Sequence, residues 1–137
     1  MIGVTADTNV YVSAFVFAGV PRQFLLEAEA GRFRLAISDA ILDELRGVLR
    51  DKFHWSESAV EATAGHLVGC ATLVDPTEVL NVVPGDPDDN RVVECAVAAG
   101  SRFIVTGDGD LLRLGSYAGI QILRVTEFLT LVAGPPG

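Results

Sequence analysis

Basic charge is scarce in this chain of 137 residues, where ten lysines and arginines face eighteen acids for a net charge of −8. Lys52 is the sole lysine. Proteins that grip nucleic acid by its phosphates usually carry a basic face, so the balance argues against tight nonspecific nucleic-acid binding. It does not exclude an enzyme that meets phosphate through a bound cation, and arginine suits bidentate phosphate contacts. Cysteine is nearly absent. Cys70 and Cys95 make no disulfide framework, and Cys95, set among Val92, Val93, Ala96 and Val97, reads as a buried free thiol. Histidine is as rare. His54 and His66 carry no HExxH or Cys/His spacing, so zinc is not expected.

Long apolar runs are missing too. None approaches the ~20 residues that span a bilayer. The longest, Val10 to Val20, is broken by Ser13 and follows Asp7 too closely for a signal peptide. The expectation is a cytoplasmic protein with no leader and no membrane contact. There is no Walker A sequence and no GxGxxG after the first strand, which removes support for a nucleotide cofactor. No Ser, Cys or His has the surroundings of an activated nucleophile.

What is present is apolar. Half of the residues are hydrophobic and the mean hydropathy is +0.40, a surplus that points to a partner interface or a homodimer. Short buried strands alternate with helices. Strands are expected at Ile2 to Ala6, Phe33 to Ile37, Arg102 to Val105 and Ile120 to Leu123, with shorter extended pieces at Ala71 to Val74 and Val79 to Val83. Helices are expected at Val10 to Phe17, Arg22 to Ala30, Ser38 to Lys52, after Ser56 to Val68, Asp86 to Ala99, in a short turn after Asp110, and at Thr126 to Val132. Gly19-Val20-Pro21 reads as a turn. Such alternation implies a mainly parallel, helix-covered sheet. Residues 1–133 read as a single domain and 134–137 as a flexible tail.

Four carboxylates fall where strands give way to helices or on the inward side of a helix: Asp7, Glu44, Asp89 and Asp108. An open α/β sheet delivers the carboxyl ends of its strands to one edge. Anions gathered there repel by roughly 3–4 kcal/mol per pair at ~5 Å and an effective dielectric of about 20, which a divalent cation relieves. Helical phase sorts the neighbours. Ile41, Leu42, Leu45, Val48 and Leu49 define one face, with Glu44 on its margin and Asp43 opposite. Val92, Val93, Ala96 and Ala99 define another, with Asp89 on the buried side and Glu94 toward solvent. Plainer roles exist for most of them. Asp7 and Asp86 could cap helices, Asp88 and Asp89 could answer a helix dipole, and Asp108 could hold its own turn. Glu44, in mid-helix, caps nothing. Arg46, Arg50, Arg91 and Arg113 lie near this edge, either to orient phosphate or to pair with the acids. Asp86-Pro87-Asp88-Asp89-Asn90 opens like a calcium loop, but Arg91 and Val97 stand where such a loop needs Gly and Glu.

Asp7-Thr8-Asn9 after the first strand, Ile41-Leu42-Asp43-Glu44-Leu45, Asp86-Pro87-Asp88-Asp89-Asn90 before an alanine-rich helix, and Thr106-Gly107-Asp108-Gly109-Asp110-Leu111-Leu112 together resemble the PIN-domain family. Gly119-Ile120-Gln121-Ile122 and Thr126-Glu127-Phe128-Leu129 add likeness to its VapC-like branch, the toxins of bacterial toxin–antitoxin pairs. The resemblance spans nearly the whole chain. It implies a Rossmann-like sandwich that hydrolyses RNA phosphodiesters with Mg²⁺ or Mn²⁺, and an antitoxin partner. It places the family's acidic quartet on Asp7, Glu44, Asp89 and Asp108, with Asp110 as a further acid, Asp86 assisting from outside the ligand set, and Asn9 and Thr106 supporting through hydrogen bonds.

Two other readings compete. A phosphatase of the haloacid-dehalogenase type needs an Asp two positions after its nucleophilic Asp, yet Asp7 is followed by Asn9, and Lys52 is misplaced for its lysine. A noncatalytic module would use the acidic edge to dock a basic partner.

Overall fold

A computed structural model describes residues 1–133; the expected tail at 134–137 lies outside them. The elements run β1 (Gly3–Ala6), α1 (Thr8–Val16), α2 (Gly19–Glu29), β2 (Arg34–Ser38), α3 (Asp39–Asp51), α4 (Glu57–Cys70), β3 (Thr72–Val74), α5 (Pro87–Ala99), β4 (Phe103–Val105), α6 (Gly109–Leu114), β5 (Ser116–Tyr117), β6 (Ile120–Leu123) and α7 (Val125–Ala133). One sheet holds all six strands in the order β3-β2-β1-β4-β6-β5. It is parallel except for the β5–β6 pair. Helices cover it in a three-layer α/β/α sandwich. No helix among the described residues is long and apolar enough to cross a membrane.

The central strands β1 and β4 are wholly buried, as a sheet covered on both faces demands. Their register sets Val4 beside Phe103, Thr5 beside Ile104 and Ala6 beside Val105. The chain leaves β1 toward β2 and β3, then returns to the other side of β1 as β4. The strand order therefore reverses between β1 and β4, where α/β sheets open a crevice beyond the strand ends. Phe24, Phe33, Phe103 and Phe128 pack edge-on or tilted, at centroid distances of 4.9–5.8 Å, and join α2 and α7 to the sheet.

Local signals explain the helix ends. Ser38 Oγ accepts the N–H of Ile41, and Ser56 Oγ that of Ala59. Asp86 caps α5 by accepting from Asp88 N at 3.0 Å, with Pro87 at the first position, and Gly100 closes that helix at φ 64°. Gly19-Val20-Pro21, expected as a turn, forms the first turn of α2. This costs little, because proline lacks only an N–H that a first turn leaves unbonded anyway.

Val79 to Val83 is not a strand. Its backbone groups bond to side chains of α5 instead: Leu80 N to Glu94 Oε2 at 2.7 Å, and Val82 N and Val83 N to Asn90 Oδ1, both at 2.8 Å. Asn90 Nδ2 returns a bond to Val83 O at 3.1 Å. The segment is a strap across the helix. It also overturns the expectation for Glu94, which is buried beneath the strap and paired with Arg91 at 2.7 Å. Helical phase gave its direction correctly, but what covers that direction is a loop. The β5 strand, too short to show in the sequence, makes an antiparallel turn-back onto β6.

Candidate metal centre

Asp7 leaves the end of β1 buried. It occupies the N-cap position of α1 yet closes no side-chain capping bond. Its Oδ2 instead accepts the hydroxyl of Thr106, from the end of β4, at 2.9 Å. The same Thr106 oxygen accepts the N–H of Asp108 at 2.9 Å. One buried hydroxyl thus spans the point where the strand order reverses and orients two acids at once. Asp108 Oδ2 accepts from Asp110 N and Leu111 N, both at 3.0 Å, which caps α6 and fixes the carboxylate. Its turn-holding role is real and leaves its other oxygen uncommitted.

Asp89 comes to the same place from the first turn of α5. Oxygens of Asp89, Asp108 and Asp110 lie within 4.8 Å of one another. Asp89 is 6% exposed, and its Oδ2 is buried with no hydrogen-bond partner. An orphaned carboxylate oxygen is costly. Burial first, then the neighbouring Asp108 carboxylate, push the Asp89 pKa up to about 7. Asp7 is raised as well, chiefly by burial, while the Thr106 hydroxyl pulls the other way and Asp108 adds to the rise. The backbone closes in at Gly85, whose φ is +102° and where a Cβ would sit 3.1 Å from Asp110 Oδ2.

Glu44 stands on the other flank of Asp7, half-buried on α3. Burial, and next the Asp88 carboxyl beside it, raise it to about 8. Thr8 opposes the rise by a side-chain hydrogen bond, and Asp7 adds repulsion. Asp88 is therefore part of the acidic edge, a placement the sequence reading missed by giving it to the helix dipole. The spacing of adjacent acids in a first helical turn is its sole trace in the sequence. Asp86 is an exposed cap that touches this edge only through its charge on Asp89. The side chain of Asn9 is exposed, and it meets the site through its backbone N–H near Asp7.

The four arginines pair with acids. Arg46 binds Asp43 and Glu61, Arg50 binds Glu57, Arg91 binds Glu94, and Arg113 binds Asp110. Arg113 alone among them touches the clustered carboxylates, and it leaves Asp7, Glu44, Asp89 and Asp108 without a cationic partner. An all-oxygen donor set with an orphaned buried oxygen and raised carboxyl groups fits a hard divalent cation.

A family model described as "PIN domain" matches residues 4–110. No curated protein matches the chain. Among solved structures, it is similar to PAE2754 from Pyrobaculum aerophilum, with a TM-score of 0.66 at 17% identity over 96% of this chain and 90% of that one. It is similar as well to VapBC2 from Rickettsia felis, solved bound to a DNA fragment from their promoter, with a TM-score of 0.63 at 18% identity over 88% of this chain and 97% of that one. At these identities the likeness is one of fold.

Proposed function

Because the chain belongs to the PIN-domain family, we propose that it is a metal-dependent endoribonuclease, the toxin of a toxin–antitoxin pair. The observation that carries the reading is the convergence of Asp7, Asp89, Asp108 and Asp110 on the reversal point of the sheet, with one buried oxygen unpaired. Asp89, Asp108 and Asp110 would hold Mg²⁺ or Mn²⁺, with Asp7 and Glu44 completing the acidic wall. When bound, the ion supplies Lewis acidity, which acidifies water and neutralises charge on phosphate and the departing 3′ oxygen.

The protein's own groups do the rest. Thr106 keeps one Asp7 oxygen turned inward by donating to the other. At neutral pH Glu44, up at about 8, holds a proton beside Asp88; with a cation held next to Asp7, Glu44 would give up that proton and its carboxylate would accept one from water. Asn9 and Asp86 assist from the rim, through a backbone N–H and through charge.

The likeness to VapBC2 supports an antitoxin partner. So do Phe17, Val20, Leu26 and Val68, large apolar side chains left 38–69% exposed; the same surplus supports a homodimer. The phosphatase alternative loses its ground to the family match. The purified chain is expected to cleave single-stranded RNA with Mg²⁺ or Mn²⁺ and not with a chelator, and to leave a small chromogenic phosphate ester intact. Should no RNA be cut with any divalent metal, the acidic edge is a docking surface for a basic partner.

A further inference from the structure

A second group of ligating side chains lies away from the carboxylate edge, at the end of α2 and along α4. Glu29 Oε1 meets His66 Nε2 at 2.5 Å. Cys70 stands one helical turn beyond His66 on the same face of α4. The carboxylate oxygen, imidazole nitrogen and Cys70 Sγ all lie within 4.8 Å of one another. The Phe15 ring and the imidazole pack in a T-shape, with centroids 6.5 Å apart. Cys70 is half-buried, and its Sγ–H points at Leu67 O at 3.4 Å.

From this geometry we infer a Zn²⁺ site formed by Glu29, His66 and Cys70. The donor types decide the ion. Thiolate and imidazole suit borderline-soft Zn²⁺, whereas Mg²⁺ takes oxygen ligands. One thiolate and one carboxylate leave the filled site neutral, so it needs no further counter-charge. Binding releases the Cys70 thiol proton to solvent and replaces the contact between His66 and Glu29 by bonds to the ion. A cavity of about 280 Å³ borders Glu29 and His66, and three protein donors leave a fourth position for water. Zinc was not expected from the sequence because His66 and Cys70 alone match no metal-binding motif; the third donor comes from α2, far away along the chain. Because the site joins α2 to α4, a bound ion stabilises the folded state against the unfolded one.

The test uses the whole purified chain with excess Mg²⁺ present to occupy the carboxylate edge. Titrated Co²⁺ is expected to produce a near-ultraviolet thiolate-to-cobalt absorption that saturates at one equivalent and is displaced by Zn²⁺. Cys70→Ser abolishes that absorption. His66→Ala, at an exposed position where folding is not at risk, weakens Zn²⁺ binding at least ~10-fold. Zn²⁺ raises the unfolding midpoint of the wild type and not of Cys70→Ser. An absorption that survives Cys70→Ser, or none in the wild type, overturns the site and reduces Glu29–His66 to a surface ion pair. Neither result bears on RNA cleavage.

Discussion

Asp89 and Asn90 are neighbours in the first turn of α5, almost equally buried at 6% and 4% exposure, and opposite in circumstance. Asn90 accepts the N–H groups of Val82 and Val83 and donates to Val83 O, so its carboxamide is nearly spent on the strap. Asp89 has a buried oxygen that nothing satisfies, and it sits among other acids. A buried polar group with its bonds made holds structure together. One left unmade, at the end of a sheet, is a place kept for something that arrives later. The helix carries both kinds within one step because its turn directs consecutive side chains about 100° apart.

The sharpest way to separate the two is to make them alike. Asp89→Asn removes a ligand and a charge but hardly changes shape. RNA cleavage with Mn²⁺ should fall by ~100-fold or more, since the chemistry asks several kcal/mol of its cation. The thermal midpoint should hold or rise, because repulsion with Asp108 is relieved. Wild-type cleavage in this variant would dissolve the distinction. The reciprocal change, Asn90→Ala, orphans two backbone N–H groups of the strap. It should cost roughly 2–4 kcal/mol of stability in denaturant unfolding, and affect cleavage mainly through that loss.

Smaller effects follow from protons. The raised pKa values of Asp89, about 7, and Glu44, about 8, mean that the folded, cation-free protein holds protons which the unfolded chain has already released. Stability without metal should therefore fall as pH rises from about 4 toward 8. Mg²⁺ should flatten that slope, because the cation replaces the protons, and cleavage should climb from mildly acidic to neutral pH for the same reason. Melting curves across this range, with chelator and with Mg²⁺, measure it; parallel slopes would show that these acids share no ion. The smallest change expected is Gly85→Ala. At φ +102° an alanine is strained, and its methyl would press on Asp110. A loss of about 1 kcal/mol should accompany a modest drop in cation affinity, read by calorimetry.

The mainly parallel sheet was legible from the sequence, and with it the expectation that distant acids share one edge. Short apolar strands ending in Asp7 and in Thr106-Gly107-Asp108 must bring those ends together if the sheet is parallel. Helical phase then picked out Glu44 and Asp89 from Asp43 and Glu94. It was misled at Glu94, because a phase says where a side chain points and not what crosses its path. Val79 to Val83 has the composition of a strand, but its N–H groups find carboxylate and carboxamide oxygens on α5 instead of a neighbouring strand. Asp88 was passed over because first-turn acids have a sufficient local explanation. Glu29 reaches His66 and Cys70 through tertiary contact, which spacing along one element cannot show.

The hydroxyl of Thr106 has its proton and a lone pair both committed, one to each side of the sheet's reversal. A carboxylate clasped at one oxygen is held against rotation, so the other oxygen of Asp7 keeps one direction. The wall of acids is thus aimed as well as charged. Replacing Thr106 by valine, of nearly the same bulk, would leave every negative charge in place and take away only the aim.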